Sequence, residues 1–246
     1  MGALRENVVP FVLLTLSKNI FLMNTTPKIF VTDFDGTMTR YDFYDLAVAR
    51  LPSVSTRDYW AEYTQGRLTH FEALAGIFAS IRAPLESVEE ILDAMEFDPQ
   101  APAALRKLRA AGWHVIIASA GSSWYIEKLL ARAGIRSDEV ELHANPGAYS
   151  PDTGLCLRLP KDDPFFDPQV GIGKAAIVRH AISQVRAPLH VAFAGDGRPD
   201  WPPAQEMLSH QLFATGWLAH RLSSHNFPFT PFSRWHEIAP LLLQTS

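Results

Sequence analysis

The chain has 246 residues, 47% of them hydrophobic and 20% charged, with a formal net charge of -4. That is room for one large domain or a domain with a modest insertion. The acidic balance and the lack of any dense Lys/Arg run argue against a nucleic-acid-binding surface. The lone cysteine, Cys156, cannot form an intramolecular disulfide, so a reducing cytoplasm is the expected setting.

In chain order, the first apolar run is Val8 to Leu16. It is too short for the roughly 20 residues that span a bilayer. No small-x-small cleavage site follows it, because Ser17-Lys18-Asn19-Ile20 comes next. Neither a membrane anchor nor a secretory signal is therefore expected. Residues 1–26 are read as an N-terminal extension, with Met23 as the natural start. Ile29 to Thr32 reads as a buried parallel strand that ends in acidic residues and Gly36. Residues 41–97 then show apolar positions at helical spacing, such as Leu74, Ile77, Phe78 and Ile81, punctuated by Pro52 and Pro84 and followed by Pro99. A cap of three or four helices is expected there. Trp60, Tyr63 and Phe71 are read as its packing residues rather than as a substrate platform.

Helical patterns over Ala103–Ala111, Ser123–Ala133, Lys174–Val185 and Pro203–Leu208 separate further strands. These are Trp113–Ala118, closing on Ser119-Ala120-Gly121, Leu189–Ala194, closing on Gly195-Asp196-Gly197, and the shorter Gln211–Ala214. The turn signal Pro151-Asp152-Thr153-Gly154 predicts a hairpin between Val140–His143 and Leu155–Arg158. Alternating strands and helices imply an α/β fold: a three-layer, Rossmann-like parallel sheet. Residues 27–40 and 98–246 would form its core, with a small helical cap at 41–97. Ligands in such sheets collect at the carboxyl ends of the strands, where every polar cluster named here falls.

Asp33-Phe34-Asp35-Gly36-Thr37 carries the strongest chemical signal. Two carboxylates at i and i+2 leave a strand tip before a glycine turn. Asp33 can face the cleft as a nucleophile while Asp35 stands beside it as acid and base. A serine-hydrolase elbow around Ser119 is excluded, because Ile117 stands where Gly-x-Ser-x-Gly needs glycine. Gly171-Ile172-Gly173-Lys174 lacks the third glycine and the preceding strand of a dinucleotide fingerprint.

On these motifs the chain resembles the haloacid dehalogenase superfamily. The resemblance implies a Mg²⁺-dependent phosphoric monoester hydrolase working through an aspartyl-phosphate. In this reading Ser119, Ala120 and Gly121 bind the transferring phosphoryl group, and Lys174 neutralises it and Asp33. Asp196 holds Mg²⁺ with the Asp33 carboxylate and the Asp35 carbonyl, while Asp200 anchors the metal's outer shell or the lysine. A small-molecule phosphate ester is the implied partner, with no nucleic acid and no membrane, and the protein is expected as a monomer or homodimer.

The insertion resembles the cap of the phosphoserine phosphatase branch, whose acidic residue facing a substrate amine falls at Asp42. That branch's carboxylate-gripping arginine aligns with Ile77, which disfavours phosphoserine, since an unpaired buried carboxylate costs several kcal/mol. The chain is also similar to the methionine-salvage group acting on 2-hydroxy-3-keto-5-methylthiopentenyl-1-phosphate. This similarity rests on Asp42, His143-Ala144-Asn145 and the aromatic tail from Phe227 to Trp235. Gly197-Arg198-Pro199-Asp200-Trp201-Pro202-Pro203 departs from the usual small and acidic run. Phosphocholine and phosphoethanolamine are alternative substrates, and a phosphomutase or a phospho-acceptor signalling protein are alternative classes.

Overall fold

In the computed structural model of the protein, which describes residues 27–244, six parallel strands form one central sheet. In chain order they are β1 (Lys28–Thr32), β2 (Trp113–Ser122), β3 (Glu141–Asn145), β8 (Val191–Gly195), β9 (Gln211–Ala214) and β10 (Thr230–Pro231). Their spatial order is β10-β9-β8-β1-β2-β3, which places β1 and β2 side by side at the centre with β8 on the other side of β1. The register Thr32↔Ile117 and Thr32↔Ala194 brings the tips of all three central strands to one edge of the sheet.

The central strands are apolar throughout because both faces are covered. Phe30, Val115 and Ile117 point into one core, shared with α5 (Ala101–Ala110), α6 (Ser123–Arg132) and α10 (Ile238–Gln244). Ile29, Val31, Ile116 and Ala118 point into the other, closed by α7 (Lys174–Gln184), α8 (Trp201–Gln205) and α9 (Gly216–Ser224). Near the C-terminus, Trp235 stacks on Phe30 at 5.6 Å, and its indole donates to Thr32 Oγ1 at 2.9 Å. The end of the aromatic tail thus props the central strand from below.

Four helices lie between β1 and α5: α1 (Phe43–Arg50), α2 (Tyr59–Thr64), α3 (His70–Ser80) and α4 (Leu85–Ala94). A bridge between Thr39 and Phe97 draws the two ends of this insertion together. Helix α3 begins at a reciprocal cap in which Thr69 accepts from the Glu72 amide and Glu72 accepts from the Thr69 amide. Its Leu74 and Phe78 are buried against the main core.

The predicted hairpin exists, but with a different first arm. Strand β4 (Gly147–Ser150) pairs with β5 (Gly154–Leu157), closing at Ser150↔Gly154. A tight turn pairs the residues flanking it, and Val140–His143 lies too far back to be the arm. Residues 141–143 instead pair in parallel with Ile116, Ile117 and Ala118 of β2. The hairpin packs on α3, and the Tyr149 hydroxyl donates to the Ala83 carbonyl at 2.6 Å. The expected helix over Pro203–Leu208 is shorter and earlier, at Trp201–Gln205, with prolines in its first turn where their missing amides cost nothing. A second small ribbon, β6 (Phe166–Asp167) with β7 (Gly171–Ile172), leads into α7. The calls on residues 1–26 lie outside the described residues. No helix among the described residues is long and apolar enough to cross a membrane.

Candidate active site

At the tip-bearing edge of the sheet lies a cavity of about 600 Å³, walled on one side by the strand tips and on the other by the helical insertion. Asp33 leaves β1 with its amide still bound to Ala194 O at 2.9 Å, so its side chain is carried to the edge at a fixed height. The chain turns at Gly36, whose φ of +71° an L-residue rarely adopts and whose missing side chain leaves room for the Asp196 carboxylate. Thr37 Oγ1 donates to Asp196 Oδ1 at 3.3 Å.

Lys174, at the start of α7, is buried with its ammonium 2.7 Å from both Asp33 Oδ1 and Asp200 Oδ1. The other oxygen of Asp200 accepts the amides of Asp196 at 3.0 Å and Gly197 at 2.9 Å. Asp200 therefore shapes the acidic loop after β8 and anchors the lysine, with both oxygens engaged. Burial alone would lower the lysine's pKa, but Asp200 and Asp33 outweigh it and hold the ammonium above its ordinary value.

Asp35 is bound on both sides. Its Oδ1 accepts the Phe43 amide at 3.2 Å, and its Oδ2 accepts the Tyr125 hydroxyl at 2.7 Å and Ser119 Oγ at 3.4 Å. Ser119 Oγ in turn accepts the Gly121 amide at 2.9 Å, so that amide is turned inward onto the serine. Asn145 supports the same loop by donating to Ala120 O at 2.8 Å and to Val170 O at 3.2 Å.

Burial raises the pKa of several acids here. It pushes Asp33 well above the usual carboxylate range, with Asp200 adding to the effect and Lys174 opposing it. Asp35 is raised by burial against the hydrogen bonds from Tyr125 and the Phe43 amide. Asp196 is pushed up to about 7, first by burial and then by Asp200. Ligand oxygens of Asp33, Asp196 and Asp200 lie within 4.8 Å of one another. An all-oxygen cluster with one lysine against three carboxylates fits a hard divalent cation. Asp33 and Asp196 are the carboxylates suited to touch it, because the oxygens of Asp200 are already spent on Lys174 and two amides.

A prediction follows from Asp196. In the metal-free protein its raised pKa means that ionisation penalises the fold progressively from about pH 4 and fully above about pH 7. Asp196→Asn should therefore raise the melting temperature of EDTA-treated protein at pH 8, at about 2–4 °C per kcal/mol for this size. The gain should fade toward pH 4. Differential scanning fluorimetry across pH is the check, and an unchanged or lowered melting temperature at pH 8 would contradict it.

Of the residues singled out in the sequence, Asp33, Asp35, Ser119, Ala120, Gly121, Lys174, Asp196 and Asp42 all line this cavity, and Asp200 lies directly behind it. Asp42 caps α1, accepting the Tyr44 amide at 2.6 Å, and its pKa is raised well above normal by burial and by Asp35. Trp60 and Tyr63, expected as packing residues, also line the cavity beside Tyr44 and His70, whereas Phe71 is buried away from it. Burial lowers His70 to about 4, leaving a neutral ring against Trp60 and Tyr63. Residues of the aromatic tail do not line the cavity. Sequence reasoning missed Tyr125 and Thr37, and gave Asn145 no site role. An aromatic at helical spacing looks like packing, and no charge pattern marks a buried threonine or asparagine.

Paired carboxylates, a hydroxyl, a buried lysine and an acidic loop are gathered at the strand tips, an arrangement chemically able to support attack by a carboxylate. The family model of the haloacid dehalogenase-like hydrolases matches residues 30–205, and the chain belongs to that family. Among solved structures, a substrate-bound phosphoserine phosphatase complex is 16% identical, with a TM-score of 0.58 over 88% of this chain and 99% of that one. A phosphoserine phosphatase from T. onnurineus in complex with NDSB-201 is 15% identical, with a TM-score of 0.55 over 90% and 98%. A haloacid dehalogenase-family hydrolase from Salmonella enterica serovar Typhi is 19% identical, with a TM-score of 0.54 over 80% and 66%. At such identities the likeness is one of fold. No curated protein sequence matches the chain significantly.

Proposed function

We propose that the protein is a Mg²⁺-dependent phosphatase that hydrolyses a small phosphate monoester through an aspartyl-phosphate on Asp33. The observation that carries this reading is the placement of two buried carboxylates, Asp33 and Asp35, at one strand tip, with only Asp33 held by Lys174 at 2.7 Å. The ammonium contact opposes the burial that raises Asp33 and turns its carboxylate toward the cavity, while Asp35, which burial also raises, has no contact with the lysine and stands ready to hold a proton. Asp33 and Asp196, with the Asp35 carbonyl, would hold Mg²⁺, which when bound neutralises charge on the phosphoryl oxygens.

In the first half-reaction an Asp33 oxygen bonds to phosphorus as the bond to the ester oxygen breaks, and Asp35 gives its proton to the departing alcohol. Lys174 and the Ser119–Gly121 loop hold the equatorial oxygens. In the second, Asp35 takes a proton from water, whose oxygen attacks phosphorus and frees Asp33 and inorganic phosphate. The helical insertion roofs the cavity and acts as a cap that keeps bulk water from competing with the leaving alcohol.

The wall opposite the strand tips, formed by Tyr44, Trp60, Tyr63, His70, Leu74 and Phe78, is largely apolar. It suits the thioether tail of the methionine-salvage enol phosphate. A second reading, a cationic alcohol such as choline or ethanolamine, is favoured by Asp42 and Asp45, which face the same space. Phosphoserine fits less well. Ile77 packs against the core, Arg82 is bound to the carbonyls of Ala79 and Ile81, and the cavity's basic residues are Lys174 and Arg198. Lys174 is already paired, and the Arg198 guanidinium lies over the Trp217 ring at 5.0 Å.

Phosphate release with Mg²⁺ should be measured over the enol phosphate, phosphocholine, phosphoethanolamine, phosphoserine and a sugar phosphate. Turnover of one of the first three, above phosphoserine, is expected. Isomerised sugar without free phosphate would point to a mutase, and a long-lived phosphoprotein to a signalling acceptor.

A further inference from the structure

Asp35 has to present its proton to the leaving oxygen in one orientation, and beside the longer contact from Ser119 Oγ at 3.4 Å two groups from different parts of the fold determine that orientation. The Phe43 amide, at the start of α1 in the insertion, donates to Oδ1 at 3.2 Å. The Tyr125 hydroxyl, from α6 of the core, donates to Oδ2 at 2.7 Å. The carboxyl cannot turn about its Cβ–Cγ bond without losing both. The two donors are themselves locked together, because the Phe43 and Tyr125 rings stack at 4.5 Å with 16° between their planes. Tyr125 is 1% exposed, and burial followed by Asp35 pushes its phenol well above its ordinary pKa, so it remains a donor.

The phosphate-side loop is cut to admit this phenol. A Cβ on Gly121 would collide with the Tyr125 hydroxyl and lie 2.8 Å from Asp35 Oδ2. Phenylalanine would fill the same volume and keep the stack on Phe43. A hydroxyl threaded past a glycine to reach one carboxylate oxygen is more than packing needs.

We propose that Tyr125 is a positioning residue for the proton transfer by Asp35, holding the carboxyl so that its proton is delivered to the leaving alcohol; this rests on the phosphatase reading above. Tyr125 keeps its own proton throughout. Its contribution should therefore scale with how much the leaving group needs protonation, a dependence that a purely structural tyrosine would not show.

The test compares Tyr125→Phe with the native enzyme, both loaded with Mg²⁺, on two esters. One is p-nitrophenyl phosphate, whose leaving phenolate needs little proton. The other is the best alkyl ester from the panel, whose alkoxide must be protonated. Because kcat/KM reports the steps through loss of the alcohol, Tyr125→Phe should lower it for the alkyl ester by roughly 10–100-fold and for the aryl ester by no more than about threefold. Asp35→Asn should show the same ordering more strongly. Adding Tyr125→Phe to Asp35→Asn should cost little more, since the hydroxyl then has no proton transfer to position.

Equal losses on the two esters, no loss on either, or a full additional loss in the Asp35→Asn background would each overturn the proposal. Native turnover of p-nitrophenyl phosphate is the separate check on the phosphatase reading. If it is present and the leaving-group dependence is missing, the tyrosine proposal alone fails. If the native enzyme turns over neither ester, both fail together.

Discussion

Asp33→Asn is expected to abolish phosphate release, by on the order of 10⁴-fold or more, the scale at which loss of a covalent nucleophile stands. The substitution keeps the shape of the side chain, and the amide oxygen can still accept from Lys174. The backbone bond from residue 33 to Ala194 does not involve the side chain and should persist. Fold and mechanism are therefore separable in this variant. Because burial holds the Asp33 carboxyl well above its ordinary pKa, replacing it with a neutral group relieves charge that the fold bears at neutral pH. A melting temperature equal to or above that of the native protein is expected alongside the lost activity. Acid-quenched native enzyme should carry a labelled phosphoryl group during turnover, and the variant should carry none. More than a few per cent residual turnover would remove Asp33 from the nucleophile's role.

Lys174→Met should have the largest effect on stability. The ammonium, buried between Asp33 and Asp200, is the only cation in contact with either among the described residues. Removing one partner of such a group leaves uncompensated buried charge, at a cost of about 3–5 kcal/mol. The melting temperature should fall by about 2–4 °C for each kcal/mol. Turnover should be lost as well, since Lys174 is the cavity side chain that touches Asp33 and faces the phosphoryl oxygens beside it. The deficit should depend on pH in a defined direction. Without the lysine, Asp33 is protonated even more readily, so the variant's penalty is greatest at pH 8 and shrinks as the solution is acidified and the carboxyl takes up a proton. Chemical denaturation at pH 5 and pH 8 measures the difference. A deficit of the same size at both would mean that lost packing, and not stranded charge, is responsible.

The sequence made the catalytic edge legible because its signals are local. An apolar run such as Phe30-Val31-Thr32, followed at once by Asp33 and Asp35, can be read as a buried strand tip without knowing its neighbours. The same holds for Ala118-Ser119 and Ala194-Gly195-Asp196. Strand β3 was missed as a sheet strand for the opposite reason. It is an edge strand, its Glu141 and His143 bond to each other at 2.7 Å, and Glu141 also binds His114 at 2.6 Å. No apolar run marks such a strand. Strand β10 is two residues long and contains Pro231, which an edge position tolerates. Helices α9 and α10 do carry apolar residues at helical spacing, Leu218 with Leu222 and Ile238 with Leu242. Tyr125 is harder, because its hydroxyl acquires a role only from Asp35, which lies 90 positions away in the chain.

The contact between the hairpin and α3 bears on how the protein breathes. The insertion is joined to the rest of the chain by its two covalent ends, by β5 packed on α3, and by Lys128 and Arg132 of α6 paired with Glu89 and Asp93 of α4. The Phe71 amide adds a bond to Gln169 O at 2.9 Å. A lid stitched along three seams does not swing freely as a rigid flap. Helix α2 has no fully buried residue, and with Trp60 and Tyr63 it forms the rim of the cavity. That short helix is held chiefly by Trp60, whose ring packs against Tyr44 and His70. On the proposed reading, a cavity of about 600 Å³ entered past that rim suits a small metabolite better than a phosphorylated side chain on a folded protein.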